Sequence, residues 1–167
     1  SDVPSDTIFR WDEITGDFVA WRAPSGYANG HCRDQQGRLL GCSHGGRSIV
    51  RTEHNGAITT LVDRYQGKRL NSPNDIVCMR DGTIWFTDPS FGILSEWEGA
   101  KAEQELPHAV YALTPDGVLH QVITDLKAPN GLAFSPDEKT LYVVESRAVP
   151  HRLIVQYDVA NNHAVAN

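Results

Sequence analysis

The sequence is short of positive charge: 15 Lys and Arg stand against 21 Asp and Glu, for a formal net charge of -6. A nucleic acid or an anionic membrane is bound through a basic excess that supplies most of the affinity, so neither is an expected partner. No apolar run approaches the ~20 residues of a membrane helix, and the opening SDVPSDTIFRW has no signal-peptide pattern. A soluble protein of the cytoplasm or periplasm is expected, with the compartment open, because the first residues read as strand and turn in mid-fold. Cysteine is scarce too. Cys32, Cys42 and Cys78 are odd in number, form no CxxC pair and keep no zinc-like spacing, which supports neither a disulfide framework nor a zinc site. Buried free thiols are the plain reading.

What the sequence does have is strand-like periodicity almost throughout. Segments 7–12, 17–23, 31–33, 39–43, 48–53, 57–63, 76–80, 83–88, 109–114, 118–125, 132–135, 141–145 and 152–158 alternate or run apolar. Gly-bearing turns such as Gln36-Gly37, Asn55-Gly56, Asp81-Gly82 and Asp116-Gly117 punctuate them. Many short strands with turn signals every eight to twelve residues predict an all-β sandwich, barrel or propeller.

Self-similarity selects the propeller. Asn29-Gly30-His31, Asn74-Asp75-Ile76 and Asn130-Gly131-Leu132 open successive units, 45 and 56 residues apart. Four-stranded blades repeat at roughly 40–50 residues, and the longer unit carries an extra stretch at 92–107. The units divide as 1–28 (outer half of a blade), 29–73 and 74–129 (full blades) and 130–167 (a partial blade). That amounts to about three and a half blades, the last strand cut short at 163–167. Closed propellers have four to eight, so further sequence or self-association is expected to complete the ring.

Tight turns fall on one face of such an array and long connections on the other, and function concentrates in the long loops. Asn29, Asn74 and Asn130 open the innermost strands on that long-loop face and should ring the central tunnel mouth. Asn-Gly is also a hairpin-turn signal, so turn chemistry competes with a ligand role at these positions. Side-chain amide oxygens are hard, neutral donors that suit Ca²⁺, but a divalent cation would need carboxylates as well. Asp75 and Asp88 are the candidates within the chain. His44 lies in a long-face loop and is a candidate substrate contact, as are Asn29 and Asp88. Gly41-Cys42-Ser43-His44-Gly45 fits the G-x-S-x-G pattern, yet a strand follows where a nucleophile elbow needs a helix, so Ser43 is rejected as a nucleophile. Segment 92–107 is read as a solvated loop or as a lid with a short helix over 96–105 and Trp97 facing inward. The tryptophans Trp11, Trp21, Trp85 and Trp97 are expected to pack between blades.

Three motifs carry a resemblance. KRLNSPND at 68–75, DGTIWFTDP at 81–89 and PNGLAFSPD at 129–137 closely resemble the SMP-30/gluconolactonase/LRE-like family. The resemblance implies a six-bladed propeller with a central divalent cation, usually Ca²⁺, held by a glutamate, two asparagines and an aspartate. Asn74 and Asn130 match the two asparagines as metal ligands; the glutamate would precede Ser1 and the aspartate follow Asn167. It further implies metal-dependent hydrolysis of a small sugar lactone to its aldonic acid, with this chain supplying part of the active site. The alternatives are a non-catalytic propeller fragment that self-associates or binds a small ligand, and a related phosphotriesterase-type hydrolase.

Overall fold

The computed structural model describes residues 1–160 and 165–166. Sixteen strands and no α-helix are found among them. A first hairpin pairs β1 (Ile8–Trp11) with β2 (Phe18–Arg22). Then β3 (Ala28–Arg33), β4 (Leu39–Ser43), β5 (Ser48–Thr52) and β6 (Ile58–Val62) form a four-stranded sheet in chain order. A small hairpin, β7 (Arg64–Tyr65) and β8 (Lys68–Arg69), leads to the second sheet: β9 (Ile76–Cys78), β10 (Ile84–Asp88), β11 (Ala109–Leu113) and β12 (Leu119–Ile123). The third sheet holds β13 (Pro129–Phe134), β14 (Thr140–Glu145), β15 (Leu153–Val159) and β16 (Val165–Ala166). Every pairing is antiparallel. The short terminal strand expected at 163–167 is described only at Val165–Ala166; positions 163, 164 and 167 lie outside the described residues.

The sheets stand around an axis as propeller blades. Each begins with its innermost strand, and these first strands touch one another: Gly30 N–H donates to Asn74 O at 2.8 Å and Leu132 N–H to the Asp75 carboxylate at 3.0 Å. Apolar packing fills the wedges between sheets. Along β10 and β11 successive side chains alternate between two cores, Ile84, Phe86, Tyr111 and Leu113 toward the first sheet and Trp85, Val110 and Ala112 toward the third. That is the period-two side-chain rule acting on a sheet covered on both faces, and it is why IWFTD and AVYAL show no polar alternation. Phe86 stacks on Tyr111 at 5.4 Å, and Trp85 meets Phe134 edge-on at 5.4 Å.

Four tight turns share one geometry. In the β5–β6 turn Glu53 N–H reaches Ala57 O at 2.8 Å and Gly56 N–H returns to Glu53 O at 2.9 Å, with Gly56 at φ +85. The same pair of bonds recurs from Asp34, Met79 and Thr114. This is the three-residue hairpin loop whose last position is left-handed, where glycine avoids the Cβ penalty.

Two expectations are corrected. Only Trp85 packs between sheets; Trp11 is 61% exposed and Trp97 69%, and Trp21 is exposed as well. Trp11 and Trp21 sit on the two-stranded first hairpin, which contributes no residue to either of the two apolar cores. No helix forms over 96–105, only a 3₁₀ turn at Phe91–Ile93. The segment carries too few apolar residues for a stripe that a helix could bury.

Candidate functional site

Asparagines 29 and 130 owe their direction to β-bulges. Ala28 pairs with Ser43 and His31 with Gly41, so Asn29 and Gly30 together oppose Cys42 alone. Pro129 pairs with Glu145 and Leu132 with Val143, so Asn130 and Gly131 oppose Val144. An extra residue in one strand re-aims a side chain at the sheet's end, which resolves the Asn-Gly ambiguity: at these two positions the dipeptide makes neither a hairpin turn nor regular strand. Gly30 answers to a further demand. A Cβ there would lie 2.6 Å from Asp75 Oδ1 and 2.7 Å from Asn74 O, so the first and second inner strands approach this closely only without a side chain.

Asn74 is placed by its backbone. Its N–H donates to Thr87 O at 2.9 Å and its C=O accepts from Gly30 N–H at 2.8 Å. Thr87 then links onward, its hydroxyl donating to Asn130 O at 2.7 Å while also accepting from Asp75 N–H at 3.1 Å. One main-chain bond and the side chains of Thr87 and Asp75 thus tie three inner strands together, while the side-chain amides of Asn74 and Asn130 make no hydrogen bond to another described residue. Asn29, Asn74 and Asn130 line one cavity of about 560 Å³.

The rest of the wall comes from Val3 and Pro4 and from the segment after β10: Phe91, Leu94, Ser95, Trp97 and Glu98. Trp97 reaches the cavity while remaining largely exposed. The sequence flagged this segment by its extra length and by Trp97 as the inward-facing residue, but gave no sign of Phe91, Leu94 or Ser95. Glycine fixes its path: a Cβ at Gly99 would fall 2.2 Å from Gly92 O, and one at Gly92 2.5 Å from the His44 ring.

The other expected residues lie behind the wall. His44 is 1% exposed; its Nδ1 is 3.0 Å from Glu98 O and its Nε2 is 3.2 Å from Asn29 Nδ2. Burial pulls its pKa below the usual histidine value. Ser43 is buried, donates to Gly26 O at 2.8 Å and is followed by β5, so no nucleophile elbow exists. Asp75 spends its carboxylate on Leu132 N–H. Asp88 is fully buried away from the cavity, its Oδ2 accepting from Asn71 N–H at 2.8 Å, and burial pushes its pKa up to about 7.

The arrangement offers amide oxygens and N–H groups with an apolar, partly aromatic rim. As cation donors, Asn74 and Asn130 fit the neutral part of the oxygen set that a hard divalent ion takes. No group of three or more His, Cys, Asp or Glu among the described residues adds a clustered carboxylate set.

Comparison with known proteins gives relatives along nearly the whole chain. The chain is 34% identical over 173 residues to a gluconolactonase of Zymomonas mobilis, covering 95% of the chain and 48% of that protein. It superposes on the solved structure of a gluconolactonase from Xanthomonas campestris with a TM-score of 0.93 and 43% identity, over 100% of the chain and 55% of that structure. A diisopropyl-fluorophosphatase of Loligo vulgaris is 26% identical over 173 residues, 98% of the chain and 54% of its own length. The chain therefore spans about half the length of these relatives. The family model described as SMP-30/Gluconolactonase/LRE-like region matches residues 1–167, and the chain belongs to that family.

Proposed function

We propose that this chain forms part of the active site of a hydrolase that opens a sugar lactone to its aldonic acid, with Asn74 and Asn130 as ligands of a divalent cation, Ca²⁺ by donor chemistry. The observation that carries the reading is a pair of asparagines on adjoining inner strands, pinned by their backbones and left unpaired at their amides in one shared cavity. A cation bound there supplies Lewis-acid polarisation of the lactone carbonyl.

The chain's own residues do the positioning. The Gly30 N–H and the Thr87 carbonyl hold Asn74, and the Thr87 hydroxyl holds Asn130, so that the backbones of the two asparagines need no reorganisation when a ligand arrives. Asn29 lies on the same wall, where a polyhydroxylated substrate has hydroxyls to hydrogen-bond. Phe91, Leu94 and Trp97 form an apolar rim that limits water around the reacting carbonyl. Two neutral donors leave a divalent charge uncompensated, so the acidic ligands and the general base are assigned to the part of the active site that the described residues do not supply.

The test is calorimetric titration with Ca²⁺ alongside hydrolysis of glucono-1,5-lactone followed by acid release. Asn74→Ala and Asn130→Ala are each expected to weaken Ca²⁺ binding at least tenfold with unchanged circular dichroism. The titration uses the protein that carries the complete active site: absence of Ca²⁺ binding there, or binding indifferent to both substitutions, overturns the cation assignment. The Loligo vulgaris relative supports a second reading as a phosphotriesterase-type hydrolase; hydrolysis of diisopropyl fluorophosphate, with release of fluoride, in preference to the lactone would move the substrate to organophosphates.

A further inference from the structure

The His44 ring joins two parts of the cavity wall that the sequence leaves unconnected. On one side stands Glu98 O in the segment after β10, on the other the Asn29 amide at the bulge of β3. A carbonyl oxygen only accepts, so His44 Nδ1 must carry the proton that it shares with Glu98. A neutral ring then presents Nε2 as a bare acceptor, and burial keeps this ring neutral. The Asn29 atom facing Nε2 must therefore be the donor, its NH₂, 3.2 Å away. Asn29 also lines the cavity that Asn74 and Asn130 share, and with its NH₂ engaged by the ring its oxygen is the acceptor left for a ligand there.

We infer that His44 is a positioning residue: held in its Nδ1–H tautomer by the Glu98 carbonyl, it takes one N–H of Asn29 and so fixes the amide with its carbonyl oxygen as the acceptor offered to a bound ligand. The cavity wall at Asn29 then selects for hydrogen-bond donors, a sugar hydroxyl or a water molecule. His44 itself, 1% exposed, touches no ligand. The device depends on Gly92, whose α-carbon packs on the ring so closely that a Cβ would lie 2.5 Å from Cγ and 2.6 Å from Nδ1. The segment carrying Phe91, Leu94, Trp97 and Glu98 thereby sets the polarity of a residue on a different blade. The ligand class rests on the lactonase reading; the tautomer and the amide orientation do not.

The experiment is long-range ¹H–¹⁵N correlation of the imidazoles in the uniformly labelled chain, with His44 assigned by comparison with His44→Gln. The expected result is a protonated Nδ1 and a bare Nε2 at neutral pH, with one Asn29 side-chain amide proton shifted downfield by its bond to the ring. An Nε2–H tautomer or a charged ring overturns the proposal. Gly92→Ala is expected to move both the ring and the Asn29 amide resonances while far-ultraviolet circular dichroism stays unchanged. Movement of the ring resonances alone overturns the coupling. If the tautomer is as stated but the protein that carries the complete active site opens no lactone, the lactonase reading fails and the positioning role stands.

Discussion

Asp88 offers a sharp test of the energetics beneath the cavity. Its carboxylate is fully buried, and only Oδ2 is bonded, to Asn71 N–H. Asp88 Oδ1, Asn71 Oδ1 and Arg47 Nη2 have no hydrogen-bond partner, Arg47 Nη2 lying 3.5 Å from Glu105 at ion-pair distance only. Burial outweighs the Asn71 and Ser72 backbone N–H groups and the field of Arg47, and raises the acid from 3.8 to about 7. A carboxyl group whose folded pKa is raised lends the fold stability that is present below the unfolded pKa and lost as pH climbs through the folded one. At about 1.4 kcal/mol per pKa unit the full loss is about 4 kcal/mol, of which about 2 to 3 kcal/mol falls between roughly pH 5 and pH 8. Half-buried His31 and buried His44 have lowered pKa values and gain stability with rising pH, so the raw pH profile mixes both trends. Asp88→Asn isolates the one group. Urea unfolding followed by tryptophan fluorescence, with Trp85 as the buried reporter, should show the variant gaining on the parent by about 2 to 3 kcal/mol from pH 5 to pH 8. A difference that is flat or shrinks with pH would refute the claim that an unrelieved buried charge resides at this position.

Other outcomes follow from local geometry. Gly30→Ala puts a methyl group within 2.7 Å of the Asn74 carbonyl and the Asp75 backbone, which should cost about 1 to 3 kcal/mol by overpacking and weaken ligand binding at Asn74, read by chemical unfolding and Ca²⁺ titration on the same variant. The thiols should be inert in the native state, because burial raises all three, Cys32 to about 12. Thiol-reagent titration at pH 8 is expected to label them slowly when folded and fully in denaturant; rapid native labelling of Cys42 would contradict the packing of the core between the first and second sheets.

Much of the strand pattern was legible because turn residues and apolar runs are local signals. Segments 39–43 and 83–88 nearly coincide with β4 and β10, and the repeat of Asn29, Asn74 and Asn130 already grouped the three residues that line the cavity. The bulges were not legible, since Asn-Gly reads the same whether it turns a hairpin or re-aims a side chain; only the register against Cys42 and Val144 separates the two. The β7–β8 hairpin turns on Gln66-Gly67 at φ +50 and +82, a dipeptide with a weaker turn signal than Asn-Gly. The fate of 92–107 was hidden for a different reason. Its path is set by contacts to His44, far away in the chain, and by close packing of Gly92 on Gly99, neither of which leaves a periodic trace. The same holds for Asp88, whose burial beside Asn71 depends on the loop before β9.

The four matching turns at the rim away from the asparagines have a practical side. Asn55 and Gly56 are exposed and contribute to no core, and their hairpin closes through main-chain bonds of its own. A dye, an affinity tag or a surface tether attached there would leave the opening at Asn29, Asn74 and Asn130 facing outward and free, so the molecule comes with a built-in handle on its blind side.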